Sequence, residues 1–209
     1  MTAVVMTCSV TLTAMAYTFS DVTPQSSYAW ALDSVEDLVS KKIIASDTNF
    51  NPSQSLTNQQ ILAFMGRILG INEDENAKVV AFALEKYNSF LSGYTTYANK
   101  EAALLMYKGL YTQSDIKAML DSKDTVVSRY QAAIYITKLM GGEEDVKNKV
   151  LISLDYADTD SIPTTAQGYV EYMKEQNIML GDNMNNFSPN TTLNRAMIVK
   201  TFFFETSPP

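Results

Sequence analysis

Histidine is missing from the sequence, and its 209 residues include a single cysteine, Cys8. Without histidine the chain lacks the commonest transition-metal ligand and the usual general base near neutral pH. Catalysis would have to rest on carboxylates, and the acidic runs at residues 73–75 and 143–145 are typical of solvated linkers. Two further acidic stretches, residues 158–160 and 182–186, lack the twelve-residue spacing and closing glutamate of a calcium loop. We therefore expect no catalytic residues, no metal site and no cofactor.

Positive charge is also scarce. Lysine and arginine number 16 against 23 acidic residues, so the formal net charge is −7. A nucleic-acid-binding protein needs a basic surface, so nucleic acid is not an expected partner. The hydrophobic fraction of 46% and the charged fraction of 19% are those of a folded chain. Composition therefore indicates a folded, acidic protein that binds no nucleic acid.

Residues 1–16 contain an apolar stretch that predicts a secretory signal peptide. The stretch ends in Ala14-Met15-Ala16, which fits an A-x-A cleavage site, although the positively charged start of such signals is missing. It is too short and too polar for a stable membrane span. The alternative is a buried first helix, which its threonines and serine disfavour. Export would remove Cys8, and a secreted protein without disulfides is typical of a bacterial surface protein.

Two similar stretches, FNPSQSLTNQQ from Phe50 and FSPNTTLNRAM from Phe187, indicate an internal repeat. Each stretch follows an acidic opening, FSD or YAD, and an amphipathic run. A second run with an apolar stripe comes after it. Each unit is therefore predicted to be helix–loop–helix. The predicted boundaries are residues 17–70 for the first unit and 143–206 for the third.

The middle of the chain, residues 71–142, begins with a stretch that is typical of a connecting helix. The later stretch VVSRYQAAIYITKLMG, from Val126, matches the second helix of the other units. The loop before it has no F-x-P, and no convincing FSD-like triplet precedes its first helix. We therefore predict a connecting helix followed by a degenerate second unit. Residues 207–209, SPP, have the composition of a linker start, which fits a part of a larger surface protein as well as a complete small one.

Three helix–loop–helix units with these motifs resemble the S-layer homology (SLH) domain family. The resemblance rests on FSDV, the Trp30-Ala31 pair, FNP and FSP, and in part on the helix starts LTNQ, VSRY and LNRA. It covers residues 18–206 and is weakest in the middle unit. The resemblance implies an all-α fold in which three repeats form a pseudo-threefold body around a central three-helix bundle. It also implies that grooves between neighbouring repeats bind secondary cell wall polymers with pyruvylated amino sugars.

The starts of the second helices combine a cap with a cation. Thr57 and Ser128 can form capping boxes with a glutamine three positions later, and Asn194 can cap alone. Arg129 and Arg195 then occupy the first helical position, where the helix dipole is unfavourable for a cation. A neighbouring anion would compensate, and free backbone N–H groups beside a guanidinium make an anion site. The alternative is that each arginine pairs with a carboxylate of the neighbouring unit and locks the units together.

The resemblance implies further roles. Arg129 and Arg195 would meet the ligand carboxylate, and Asp21 and Asp158 would line the grooves, with structural capping as the alternative for both aspartates. Trp30 would offer an apolar face to a sugar ring, unless it lies in the core. The sequence departs from the family pattern in three places. Asn58 occupies the ligand-binding position of the first arginine, for which Arg67 or a lysine would be the substitute cation. Tyr97 and Thr165 occupy the tryptophan positions of the second and third repeats. Fewer than three competent grooves are therefore expected.

The predicted function is non-catalytic anchoring at the cell surface, with a cell wall polysaccharide as the partner. The alternative is that the degenerate repeats act as a structural or protein-interaction adaptor on the cell surface. The two interpretations predict different surroundings for Arg129 and Arg195. Anchoring requires the arginines to lie in accessible grooves between units, whereas the adaptor interpretation predicts internal salt bridges.

Overall fold

The computed structural model describes residues 18–206, and these residues form helices joined by loops, with no strand among them. The predicted all-α fold is therefore confirmed for this part of the chain. The predicted signal peptide at 1–16 and the tail at 207–209 lie outside the described residues. The helices are α1 (Leu32–Ser40), α2 (Asn58–Ile68), α3 (Ala77–Leu91), α4 (Asn99–Tyr107), α5 (Gln113–Asp121), α6 (Arg129–Leu139), α7 (Glu143–Asn148), α8 (Thr164–Glu175) and α9 (Arg195–Thr206). None of these helices has the length and apolarity needed to cross a bilayer.

The two helices of each unit are α1 and α2, α4 and α6, and α8 and α9. The first helix of a unit packs against the second helix of the preceding unit, so that α4 contacts α2 and α8 contacts α6. The series closes on itself because α1 packs against α9. The apolar positions aligned between units behave alike, since Val35 and Leu38 of α1 and Val170 and Met173 of α8 are all fully buried. Burial of these stripes therefore depends on contacts between units.

Three buried residues that precede the second helices are linked in a ring of backbone hydrogen bonds. The Val127 N–H donates to the Leu56 carbonyl at 2.8 Å, and the Leu193 N–H donates to the Val127 carbonyl at 3.0 Å. The Leu56 N–H closes the ring by donating to the Leu193 carbonyl at 3.1 Å. The ring holds the three helix starts together at one point. Threefold symmetry of the whole body and a central three-helix bundle stay predictions.

The middle unit departs from the other two where its sequence does. The predicted connecting helix is present as α3, and α5 takes the place that the F-x-P loop has in the first and third units. Thr112 caps α5 by accepting the N–H of Asp115 at 3.2 Å, while the Asp115 carboxylate accepts the Thr112 N–H at 2.9 Å. The unit therefore keeps its two packing helices although it has lost the loop motif.

Candidate ligand-binding grooves

The aspartates of the FSD and YAD openings hold the F-x-P loops. In the third unit the two carboxylate oxygens of Asp158 accept the N–H groups of Phe187 and Ser188, both at 2.7 Å. In the first unit Asp21 accepts the N–H of Phe50 at 2.8 Å and the next N–H at 2.7 Å. All four carboxylate oxygens accept backbone N–H groups of the F-x-P loops. These contacts therefore support structural capping, the alternative role, for both aspartates. The two aspartates hold the loops whose phenylalanines line the grooves described below, but they do not line the grooves themselves.

The aromatic residue of each opening packs on the phenylalanine of the F-x-P loop. The ring centroids of Phe19 and Phe50 are 5.4 Å apart, and those of Tyr156 and Phe187 are also 5.4 Å apart. The middle residue of each F-x-P loop adopts a positive φ, 56° in the first unit and 58° in the third. Each loop therefore presents one phenylalanine ring on a fixed support at the unit boundary.

The first-position arginine of the preceding unit lies over that phenylalanine. The guanidinium carbon of Arg195 is 4.6 Å from the Phe50 ring centroid, and that of Arg129 is 5.0 Å from the Phe187 centroid. These are cation–π contacts. Arg195 also donates from Nε to the Phe50 carbonyl at 2.7 Å, and Arg129 donates from Nη2 to the Leu180 carbonyl at 2.7 Å. Each arginine is thereby held between two units.

The backbone N–H groups at the helix starts are not free, which corrects the anion site predicted from the sequence. The Arg129 N–H donates to the Thr191 carbonyl at 2.9 Å, and the Arg195 N–H donates to the Gln54 carbonyl at 2.9 Å. The next N–H of each helix also donates to a carbonyl of the neighbouring unit. The expected capping by Asn194 is confirmed, because its side chain accepts the Met197 N–H at 2.9 Å. Only the guanidinium groups can meet an anion here.

The three arginines have no carboxylate partner within 4.0 Å in the part of the chain whose side chains are described, residues 18–202. Every salt bridge found there uses a lysine. The planar guanidinium is nevertheless suited to a two-pronged contact with a carboxylate. The internal salt bridges that the adaptor interpretation predicts for Arg129 and Arg195 are therefore not found among these residues.

The groove at Arg195 has a volume of about 290 Å³ and lies between the third and first units. Phe50, Phe64 and Arg67 line it together with the Arg195 side chain. Burial lowers the pKa of Arg195, and the positive charge of Arg67 lowers it further. The Nη atoms of Arg195 make no hydrogen bond within the described side chains, so they can donate to a ligand in the groove.

The groove at Arg129 has a volume of about 390 Å³ and lies between the second and third units. Leu180, Asp182 and Phe187 are among its lining residues. Burial lowers the pKa of Arg129. The Asp182 carboxylate accepts the N–H groups of Asn186 and Met184, and these bonds hold its pKa below the usual range. This groove therefore contains one cation and one carboxylate that already has hydrogen-bond donors.

Asn58, the residue predicted to line the first groove, is buried and hydrogen-bonded inside the protein. Its side-chain nitrogen donates to the carbonyl and hydroxyl oxygens of Ser122 at 3.0 and 2.9 Å. Its side-chain oxygen accepts the Tyr135 hydroxyl at 3.0 Å. The side chain is 1% exposed, so its assignment as a ligand-binding residue is wrong for this structure. Asn58 fastens the second unit to the first where the other boundaries have an open groove.

Arg67 does not replace the missing arginine at Asn58. It stands near the far end of α2, roughly 13 Å along the helix axis at the standard rise. There it lines the Arg195 groove. The sequence contains no sign of this placement, because a residue on the second helix of one unit reaches the groove made with another unit only after the units have packed.

Trp30 lies on the surface and not in the core. Its side chain is 48% exposed, and its ring centroid is 6.2 Å from that of Tyr28. Tyr97 and Thr165, in the corresponding positions of the other units, are also exposed. The lining residues of the two arginine grooves do not include these three side chains. The predicted contact between Trp30 and a sugar ring therefore stays a prediction.

Comparison with known families agrees with these repeated features. The S-layer homology domain model matches residues 18–60 and 155–196, which contain both opening motifs, both F-x-P loops and two second-helix starts. The first and third units therefore contain segments of the S-layer homology domain type, and the middle unit lies outside the matched segments. No curated protein shows significant similarity to the chain. Domains of this family are non-catalytic modules that anchor proteins at the cell wall, which implies an association of this chain with the cell surface.

Proposed function

We propose that this chain anchors at the cell surface by binding an anionic secondary cell wall polymer through the grooves at Arg129 and Arg195. The main support is that both guanidinium groups lack a carboxylate partner among the described side chains, although each is fixed over a phenylalanine ring at a unit boundary. A pyruvylated amino sugar would supply the missing carboxylate.

The two grooves would act together on one polymer. A hydrogen-bonded contact with a charged group contributes about 1.5–3 kcal/mol, so either groove alone would bind a single sugar weakly. Linking two such sites to one chain raises the effective concentration at the second site and hence the overall affinity. With a net charge of −7, the protein as a whole repels an anionic polymer. Recognition would therefore depend on local contacts of the arginines.

We further propose that the chain is exported with loss of residues 1–16 and that its repeats occupy residues 17–70, 71–142 and 143–206. In this proposal the boundary between the first and middle repeats contributes packing and no competent groove, because Asn58 is buried where the other boundaries have an arginine. The middle repeat supplies Arg129 to the groove that it forms with the third repeat. A larger surface protein would be held at the wall if these repeats form part of it.

The proposal is tested by co-sedimentation of residues 17–209 with purified cell-wall sacculi, before and after chemical removal of the secondary polymer. We expect binding to intact sacculi, a loss of binding after removal, and weaker binding for Arg129→Gln and Arg195→Gln. The double variant should lose more affinity than either single variant, because neither groove then keeps its helix-start arginine. Lys117→Gln is the matched control, since Lys117 is an exposed cation on α5 whose ion pair, with Asp121 at 2.6 Å, lies outside both grooves.

Thermal unfolding of each variant separates lost binding from lost structure, because both arginines also connect units. Binding that survives removal of the polymer, or that is unchanged in the folded double variant, would contradict anchoring through these grooves. Such a result would favour the adaptor interpretation, in which the repeats bind a protein on the cell surface.

A further inference from the structure

Arg67 and Arg195 line the same groove, whereas Arg129 is the sole arginine lining the other. We infer that the Arg195 groove binds a carbohydrate segment with two negative charges close together, and that the Arg129 groove binds one with a single charge. This inference rests on the proposed function and adds the charge of the ligand at each groove.

A comparison within the chain supports the role of Arg67. Counted from the first residue of its helix, Lys138 stands at the same place in α6 as Arg67 does in α2. Lys138 is 8% exposed and is paired with Asp115 at 2.7 Å and Glu143 at 3.0 Å. The position equivalent to Glu143 in the first unit is Asn72, which has no charge. The fold thus supplies carboxylates to the lysine and none within 4.0 Å to the equivalent arginine.

No carboxylate of the described side chains lies within 4.0 Å of the Arg67 guanidinium. Burial raises the pKa of the Glu101 carboxyl, and the positive charge of Arg67 offsets this effect only in part. Asp47 lines the groove, and its carboxylate accepts the Thr48 N–H at 2.6 Å. The polar contact recorded for the Arg67 guanidinium is a long one, 3.4 Å from Nη1 to the Ile43 carbonyl. Its remaining donors are available to a ligand.

Two like charges in one groove repel each other, and a ligand with one charge relieves only part of this repulsion. The effect on Arg195 is visible in its pKa, which burial and the nearby Arg67 both lower. A dianionic ligand can give each guanidinium its own charged hydrogen-bond acceptor. Each groove also contains one carboxylate, Asp47 or Asp182, but among the described lining residues of the Arg129 groove there is no second cation, so a second ligand charge there would have no partner.

Two kinds of sugar present this chemistry: a pair of adjacent acidic sugars, and a single phosphorylated sugar. Digalacturonate and glucose 6-phosphate represent these two sources, and galacturonate is the probe with one charge. NMR titration of the arginine side chains in the intact chain reports where each probe binds and how tightly. The variants are Arg67→Gln, with Arg129→Gln as the matched control from the other groove.

We expect at least one dianionic probe to bind at the Arg195 groove about tenfold more tightly than galacturonate, as one additional charged contact would give. Arg67→Gln should remove this preference by weakening the binding of the dianionic probe more than that of galacturonate, whereas Arg129→Gln should keep the preference. Equal binding of all probes, or a preference that survives in Arg67→Gln, would overturn the inference. If binding of every probe is absent or indifferent to Arg195→Gln, the proposed function fails together with it.

Discussion

Arg195 and Phe50 are separated by 145 positions in the sequence and are in direct contact in the structure. The guanidinium lies over the phenylalanine ring, and its Nε donates to the carbonyl of the same residue. The contact joins the third unit to the first. It uses only Nε, so the two Nη atoms of the arginine can donate to a ligand in the groove. One interaction therefore connects the ends of the repeat array and shapes a candidate binding site.

The hydrogen bonds of Asp158 lead to a stability prediction. Asp158→Asn replaces one acceptor oxygen with an NH₂ group that faces a backbone N–H, so we expect a loss of about 2–3 kcal/mol in the free energy of unfolding. Urea denaturation checks this value. Asp160→Asn is the control, because Asp160 is exposed and stands two positions away. Equal stability of the two variants would show that the Asp158 carboxylate does not hold the loop.

Restoring the family arginine at position 58 should damage the protein and should not create a third groove. Asn58→Arg places a charge where the side chain is 1% exposed and removes the hydrogen bonds to Ser122 and Tyr135. We expect a destabilisation of about 3 kcal/mol or more, measured by urea denaturation. Asn88→Arg, at an exposed position on α3, should change the stability by about 0.5 kcal/mol or less. A stable Asn58→Arg variant with increased binding to sacculi would contradict the closed state of this boundary.

The pairing of Asp115 with Lys138 predicts a pH dependence of stability. Burial raises the pKa of Asp115, but hydrogen bonds from Lys138 and Thr112 outweigh this effect and the net pKa is lowered. A carboxyl whose pKa is lower in the folded state stabilises the fold above its unfolded pKa and loses that contribution as the pH falls through the folded value. Asp115→Asn should therefore destabilise the protein by about 1 kcal/mol at neutral pH. The difference from the unmodified protein should vanish in acid.

Urea midpoints measured from about pH 7 to about pH 2 check this dependence. Asp121→Asn is the control, because Asp121 forms an exposed pair with Lys117 on the same helix, and such pairs contribute about 0.3–0.5 kcal/mol. A difference for Asp115→Asn that stays constant over the whole range would indicate lost packing and not lost charge.

Gly66 of α2 lies directly against Glu101 of α4. A Cβ atom at this position would lie 2.3 Å from Cγ and 2.6 Å from Cβ of Glu101. The helices would have to separate, so we expect Gly66→Ala to lose about 1–3 kcal/mol of stability. Gly93→Ala is the control, because its Cβ would meet only a carbonyl oxygen at 3.9 Å and should change the stability by about 0.5 kcal/mol or less. A neutral Gly66→Ala variant would mean that the two helices can move apart without cost.

Features set by neighbouring residues in the chain were predictable from the sequence. The helix–loop–helix order, the cap at Asn194 and the buried stripes of α1 and α8 follow from local spacing and are confirmed. The connecting helix α3 was also predictable, because the stretch is longer than a short linker and contains many helix-forming residues.

Features set by contacts between units were not predictable. The first N–H groups of the second helices donate to carbonyls of another unit. The sequence of one helix does not show these partners, so it predicts that the N–H groups are free. Asn58 is polar and begins a helix, but its hydrogen-bond partners come from the second unit and bury it. The sequence predicts Arg67 only as a substitute cation at the Asn58 groove, whereas it lines the Arg195 groove. In each case the environment is created by residues distant in the sequence.

The packing of α1 against α9 has a consequence for the order of folding. A growing chain that has produced only its first two units lacks α9, the helix against which α1 packs. The Leu56 carbonyl and N–H likewise find both their partners only when the second and third units are present. Contacts of such long sequence separation slow folding. The native contacts of α1 and Leu56 therefore form only after α9 and the loop before it have been synthesised, and until then the first unit lacks part of its core contacts.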